Sequence, residues 1–145
     1  MSKEKKKRGH FLKRKKLFSD EFVWLLMAVL WMAGIFIASS VDGSGEHYFD
    51  LKILIERKGA HVFEFFVLAY LFFNFLRHCK ISFKSSLLFT VVISMLYAAS
   101  DEFHQLFIFG REGKMTDVGI DGNGVLLFIV VLLTWRTWFK IESWN

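Results

Sequence analysis

The sequence predicts an all-α membrane protein, a bundle of four transmembrane helices preceded by a basic cytoplasmic N-terminal tail. The 145 residues are 54% hydrophobic and include 18 Phe and 5 Trp, which is more apolar surface than a soluble domain of this length can bury. Proline is absent, and the apolar segments do not alternate as strands do, so helices are the expected membrane-spanning element. Four such segments follow one another along the chain.

The positive charge is concentrated in the tail, residues 1–20. Residues 1–16 contain nine Lys or Arg and a single acid, Glu4, whereas the whole chain has a net charge of +5. Beside an apolar segment, such a tail favours attraction to anionic membrane lipid, roughly 1 kcal/mol per basic residue, over binding of nucleic acid. The lone Cys79 excludes an internal disulfide. The remainder, residues 21–145, is predicted to be one transmembrane domain.

The first predicted helix runs from Phe22 to Ser39 without a charged residue. At 1.5 Å per residue this segment is about 27 Å long, nearly the thickness of the hydrocarbon core. A signal peptide is the alternative, because basic residues precede the segment and small residues close it. The segment exceeds the usual apolar core of a signal peptide and further apolar segments follow, so we expect a retained helix.

The other three helices are predicted over Arg57–Leu76, Ser85–Phe107 and Val118–Trp138. Their orientation follows from the distribution of Lys and Arg, which favours cytoplasmic loops. The loop over residues 77–84 has three basic residues and no acid, which assigns it and both termini to the cytoplasm. Residues 41–56 and 108–117 are then expected to face outward, in a multi-pass protein of the cell membrane.

Polar residues interrupt three of the four helices, all at one depth. Helix two enters from the outside and carries them in its first turns, whereas helix three leaves toward the outside and carries them in its last. At 100° per residue each set shares one helix face, which predicts a polar cavity open to the outside. The residues are Lys58, His61, Glu64, Asp101, Glu102, His104, Gln105, Asp117 and Asp121.

A purely structural polar network, in an interaction or scaffold protein, is the alternative interpretation. Each ionised residue at the bilayer centre costs roughly 2.5 to 3.5 kcal/mol, less near the interface. Small residues would associate helices at a lower cost, which favours a functional cavity. Both interpretations use the same residues.

Two segments of the chain, RKGAHVFEF at 57–65 and SDEFHQLFIFGREGKMTDVGIDGNG at 100–124, resemble the VanZ family of bacterial membrane proteins. The family's Lys-x-x-His-x-x-Glu falls on Lys58, His61 and Glu64. Its Asp-Glu-x-His-Gln falls on Asp101, Glu102, His104 and Gln105, its Gly-Arg on Gly110 and Arg111, and its Asp-x-x-x-Asp on Asp117 and Asp121. The resemblance implies association with the bacterial cell envelope and, as for the founding member, antibiotic resistance of the teicoplanin type.

The residue types support two functional hypotheses. In the first the protein is an enzyme, in which His61 or His104, tuned by Glu64 or Asp101, is the general base. Glu102 completes this set of catalytic candidates, although no activated nucleophile is evident. In the second hypothesis the cavity holds an anionic lipid or glycan headgroup, or a lipid-linked envelope precursor, without turnover. The expected ligand contacts are Lys58, Gln105, Arg111, Asp117 and Asp121.

A metal site is a third hypothesis, because His61-x-x-Glu64 and Asp101-x-x-His104 are i, i+3 pairs on neighbouring helices. The same spacing presents any two polar groups on one side of a helix, and Lys58 and Arg111 would repel a cation. We therefore predict neither a metal nor a cofactor. The sequence does not predict the oligomeric state.

Overall fold

The computed structural model describes residues 19–41, 51–111 and 113–139, without the side chains of 51–54 and 56. These residues form four helices and no strand: α1 over Asp20–Ser39, α2 over Leu51–His78, α3 over Phe83–Gln105 and α4 over Met115–Trp138. All four are long and apolar enough to cross a membrane. The predicted all-α membrane fold is confirmed, whereas the basic tail and most of the first outer loop lie outside the described residues.

The predicted ends of α1 at Ser39 and of α4 at Trp138 are confirmed, whereas the other helix boundaries differ from those predicted. The largest difference is in α2, which begins at Leu51 and not at Arg57. Within α2, residues 57–78 form the candidate membrane span. Apolar length predicts where a chain enters lipid, whereas main-chain hydrogen bonds decide where the helix itself begins.

Contacts between the helix ends show that successive helices run in opposite directions. At one end, the side chains of Ser39 and Asp101 join the last turns of α1 and α3. At the other end, Trp24 near the start of α1 packs on His78 at the end of α2. Helix α2 packs against the three other helices, most extensively against α4, while α1 packs mainly on α2. Polar residues on α2 are thus within reach of side chains from every other helix.

The bundle has an apolar interior over most of its length and an apolar surface. Phe65, Phe73 and Phe128 are at most 3% exposed and form its aromatic core. On the outside, Leu30 and Leu96 are 62% and 66% exposed, as expected for side chains that face lipid tails.

Helices α4 and α2 approach each other closely where Gly124 of α4 meets α2. A Cβ atom at this position would collide with the Val62 carbonyl oxygen and the Phe66 amide nitrogen. At Gly119, by contrast, a Cβ atom would find open space. Among the glycines of α4, Gly124 is the one at which the main chain of another helix leaves no room for a side chain.

Candidate functional site

Two polar contacts, one helical turn apart, join α2 to α4 at the end of the bundle where α4 begins. Lys58 Nζ lies 3.0 Å from Asp117 Oδ1, and His61 Nδ1 lies 3.1 Å from Asp121 Oδ1. The spacing of three residues on α2 and four on α4 places each pair on facing sides of the two helices. The first pair is partly exposed, whereas the Asp121 side chain is fully buried.

His61 and Asp121 are close enough for an ion pair when the imidazole is protonated, but their alignment is not that of a hydrogen bond. Both Asp121 oxygens and His61 Nδ1 are buried without a hydrogen-bond partner among the described residues. A carboxylate removed from water in this way depends on its neighbour for compensation. Because Nδ1 faces Asp121, Nε2 is the His61 nitrogen left for a ligand.

The end of α3 adds a second group of buried polar side chains, in which Gln105 bridges two acids. Its Nε2 donates to Asp101 Oδ2 at 2.9 Å and lies 3.5 Å from Glu102 Oε1. Ser39 Oγ of α1 also donates to Asp101 Oδ2, at 2.8 Å, and the Lys114 amide donates to Glu102 Oε2 at 2.9 Å. The two acids of α3 therefore connect the end of α1 and the start of α4 to α3 through hydrogen bonds.

His104 lies apart from His61, against α1. Its ring stacks on Phe36 with centroids 4.2 Å apart, and its Nε2 lies 3.0 Å from Ser40 Oγ. His104 lines neither of the two polar cavities described next. Eight of the ten predicted site residues line one or both of these cavities. Asp101, which accepts hydrogen bonds from Ser39 and Gln105, and His104, which faces the lipid-facing helix α1, line neither.

Arg111 is held at the end of α1 by a tight turn. Gly110 has a φ of 72°, a left-handed conformation that glycine adopts without strain. The Arg111 Nε then donates to the Val41 carbonyl at 3.0 Å and its Nη2 to the Ala38 carbonyl at 3.4 Å. Its only polar contacts in the described part of the chain are these main-chain oxygens, so its charge is not paired with a carboxylate.

Two polar cavities adjoin each other at this end of the bundle. The larger, about 220 Å³, lies between α2, the turn before α4 and the first turns of α4. The smaller, about 110 Å³, lies between α1 and α2. Arg57, His61 and Arg111 line both cavities, so these three side chains form the partition between them.

Glu64 lines the smaller cavity, and its carboxylate has no hydrogen bond or ion pair with another described residue. Its main-chain carbonyl, by contrast, accepts a hydrogen bond from Trp31 Nε1 at 2.9 Å. The Trp31 contact fixes the Glu64 main chain against α1 while its side chain stays available. One unpaired acid and one unpaired guanidinium, that of Arg111, therefore line the same small cavity.

Three participants were not predicted as site residues. Arg57 lines both cavities and shares a helix face with His61 one turn later, a spacing that could have identified it. Ser39 gives Asp101 a hydrogen bond, and Lys114 contributes its main-chain amide. A main-chain contact cannot be predicted from residue types, so only the structure shows the contribution of Lys114.

Among the described residues, no three His, Cys, Asp or Glu side chains converge so as to hold a metal ion. The two i, i+3 pairs of the metal hypothesis diverge, because His104 packs on α1 while His61 faces α4. The metal hypothesis gains no support from this geometry.

The fold and the polar cluster define a class: a multi-pass membrane protein with four candidate spans and an ionisable group of residues at one end. The VanZ/LLP1 family model matches residues 22–136, and the chain belongs to this VanZ-like family. The match covers α1 to α4 almost completely and includes all ten predicted site residues. Neither a curated protein nor a solved structure matches the chain.

Proposed function

We propose that this VanZ-like protein binds the anionic headgroup of a lipid-linked molecule of the bacterial cell envelope in its two polar cavities. The unpaired Arg111 guanidinium is the observation that carries the proposal. A planar guanidinium presents a fork of N–H donors that matches a phosphate or carboxylate. Two of these Arg111 donors form hydrogen bonds to main-chain carbonyls, and the rest of the guanidinium lines both cavities.

The charge distribution of the larger cavity also favours an anion over a cation. Three of its acids already have a partner within the protein: Asp117 is paired with Lys58, Asp121 lies beside His61, and Glu102 accepts a hydrogen bond from the Lys114 amide. A cation would have to displace these contacts. An anion, by contrast, meets Arg111 without breaking an existing ion pair.

The depth of the cavities points to a molecule anchored in lipid. Lys58 is the eighth residue of α2 and Asp121 the seventh of α4, so both lie roughly 10 Å from the helix starts. Membrane lipids place their headgroups at about this depth relative to a helix that extends past the hydrocarbon. A soluble anion would carry the same charged group, but it would not be anchored in the membrane.

Binding is tested by thermal stabilisation of the detergent-purified protein with two probes, farnesyl diphosphate and glycerol phosphate. Arg111→Gln should weaken binding by about tenfold or more, because a hydrogen bond to a charged group contributes roughly 1.5 to 3 kcal/mol. Lys84→Gln, an exposed change at the other end of the bundle, is the matched control. Stabilisation by farnesyl diphosphate alone supports a lipid-anchored ligand. Equal stabilisation by both probes supports a free phosphate as the ligand. Unchanged binding by the Arg111→Gln protein contradicts the proposal.

A second candidate function is acid–base catalysis on the same headgroup. The specific observation in its favour is His61, with Nδ1 beside the buried Asp121 carboxylate and the ring lining both cavities. A water molecule would give its proton to His61 as its oxygen bonds to the terminal phosphorus, while the bridging oxygen of the diphosphate leaves on the lipid monophosphate. Release of phosphate from farnesyl diphosphate should then disappear in His61→Ala and persist in His104→Ala. Release that survives in both variants eliminates this mechanism.

We also propose that the protein resides in the cell membrane with both termini in the cytoplasm. The basic loop at the α2–α3 junction supports this orientation. Cys79, the chain's one cysteine, is exposed in that loop. A membrane-impermeant maleimide should therefore label it in permeabilised cells and not in intact ones. Labelling of intact cells would reverse the orientation.

Resistance to glycopeptides of the teicoplanin type is the cellular consequence that we propose from family membership. Expression in a susceptible Gram-positive host should raise the inhibitory concentration of teicoplanin. The Arg111→Gln protein, present in the membrane at an equal level, should not. If both proteins raise the inhibitory concentration equally, resistance does not depend on the proposed binding site.

A further inference from the structure

An apolar groove of about 580 Å³ lies at the end of the bundle opposite the polar cavities, between the C-terminal halves of α2 and α4. Its floor consists of Phe73, Phe83 and Phe128, each at most 7% exposed. Tyr70 on one rim and Trp135 on the other are 45% and 59% exposed. The groove therefore opens on the lipid-facing surface and ends on a closed aromatic floor.

The groove is polar at one end and apolar along the rest of its length. On α2 it extends from Phe66 to Asn74, and on α4 from Phe128 to Arg136. Each stretch has nine residues and a rise of about 12 Å. This is close to half of the hydrocarbon core, which is about 30 Å thick. The polar pair, Asn74 and Arg136, stands near the ends of the two helices, where the headgroups of one leaflet lie.

Arg136 has its guanidinium carbon 4.2 Å from the centre of the Phe83 ring. In the described part of the chain this is its one contact with a charged or aromatic group. Lys80 and Lys84 are exposed at the same end. The described acids there, Asp20 and Glu21, belong to α1, which does not line the groove.

From these observations we infer that the groove is a binding site for an anionic phospholipid of the leaflet at the Arg136 end. One acyl chain lies on the aromatic floor, and the phosphate binds the Arg136 guanidinium. Sites of this size are commonly apolar with a few polar groups that fix the orientation of the ligand. Basic pockets between transmembrane helices are known to select anionic headgroups. The site is independent of the polar cavities and of the ligand proposed for them.

Any phospholipid would place a chain against an apolar surface, so the distinguishing property is preference for a negative headgroup. The test is native mass spectrometry of the full chain after exchange into bilayer discs of phosphatidylglycerol and phosphatidylcholine, equimolar and with identical acyl chains. The wild type should retain phosphatidylglycerol about fivefold over phosphatidylcholine, the ratio that corresponds to roughly 1 kcal/mol for one basic residue at the membrane surface.

Two variants separate the contribution of charge from that of the groove. Arg136→Gln should retain both lipids equally, while Arg136→Lys should keep most of the preference because it keeps the charge. Val131→Trp, which fills the groove, should lower retention of both lipids. Gly119→Ala, near the start of α4 and outside the groove, meets open space and should leave the preference unchanged.

Three results would overturn the inference: a wild type without a preference, an Arg136→Gln protein that keeps the preference, or a Val131→Trp protein that retains as much lipid as the wild type. Helical content by circular dichroism identifies a variant that fails to fold. The wild-type ratio tests the inference even in that event.

Discussion

The buried Asp121 carboxylate should depend on His61 for its place in the membrane, and replacing His61 by Leu tests this dependence. The substitution removes the nearest positive group, at 3.1 Å, from a side chain with no exposed surface. Breaking a buried ion pair costs about 3 to 5 kcal/mol, and an ionised Asp at the bilayer centre roughly 2.5 to 3.5 kcal/mol. Asp121 is about 9 Å from the start of α4 and therefore not at the centre. We expect His61→Leu to lower the free energy of unfolding by about 2 to 3 kcal/mol.

Lys58→Met provides a matched control on the same face of α2, one turn earlier. The substitution leaves Asp117 without the ion pair to Lys58. The Asp117 side chain is 31% exposed and that of Lys58 is 43% exposed. Exposed ion pairs contribute at most about 1 kcal/mol, so this variant should be close to the wild type. The free energy of unfolding is measured in mixed micelles by titration with a denaturing detergent, followed by far-ultraviolet circular dichroism.

The double variant His61→Leu with Asp121→Leu completes the test. Replacing both partners leaves no stranded charge, and such a replacement is often neutral or stabilising. The double variant should therefore be more stable than His61→Leu alone. The reasoning is refuted if His61→Leu and Lys58→Met cost the same, or if the double variant is no more stable than the single one.

Three further predictions concern single contacts. Gly124→Val should prevent the close packing of α4 on α2 and abolish cooperative unfolding. Gly119→Ala, which meets open space, should keep the unfolding midpoint of the wild type or raise it. Equal unfolding midpoints for the two variants would contradict the close approach at Gly124. Ser39→Ala removes a donor from Asp101, a carboxylate that is 2% exposed, and should cost about 1 to 3 kcal/mol of unfolding free energy; no loss in the same detergent titration would mean that the bond is not formed. Trp31→Phe deletes an indole hydrogen bond to the α2 main chain and should cost about 1 kcal/mol, with a stability equal to the wild type as the contrary outcome.

Hydrophobic length predicted the four spans correctly but not all of the helix ends. Helix α2 was predicted to begin at Arg57 and begins six residues earlier, at Leu51. Entry into lipid depends on composition, which the sequence displays directly. A helix end depends on main-chain hydrogen bonds, and these continue as long as nothing interrupts them.

The polar residues were predicted to share one depth, and the structure places them at one end of the bundle. Depth follows from counting residues along helices of known direction. Which side chains meet does not, because it depends on the rotation of each helix about its axis. His61 was expected to be tuned by Glu64 or Asp101, and its nearest carboxylate is that of Asp121. His104 shares the depth of His61 but faces α1.

The sequence by itself determined that this is a helical membrane protein of the VanZ-like family, in which the residues of the predicted polar cavity lie at one end. Periodicity and composition are properties of single segments, so they can be assessed without knowledge of how the helices pack. The tertiary structure alone decided that Asp121 is buried beside His61, that Arg111 donates to the main-chain carbonyls at the end of α1 and that Arg136 lies at the end of an apolar groove. These pairings join helices far apart in the chain, and the approach permitted by Gly124 sets how α4 faces α2.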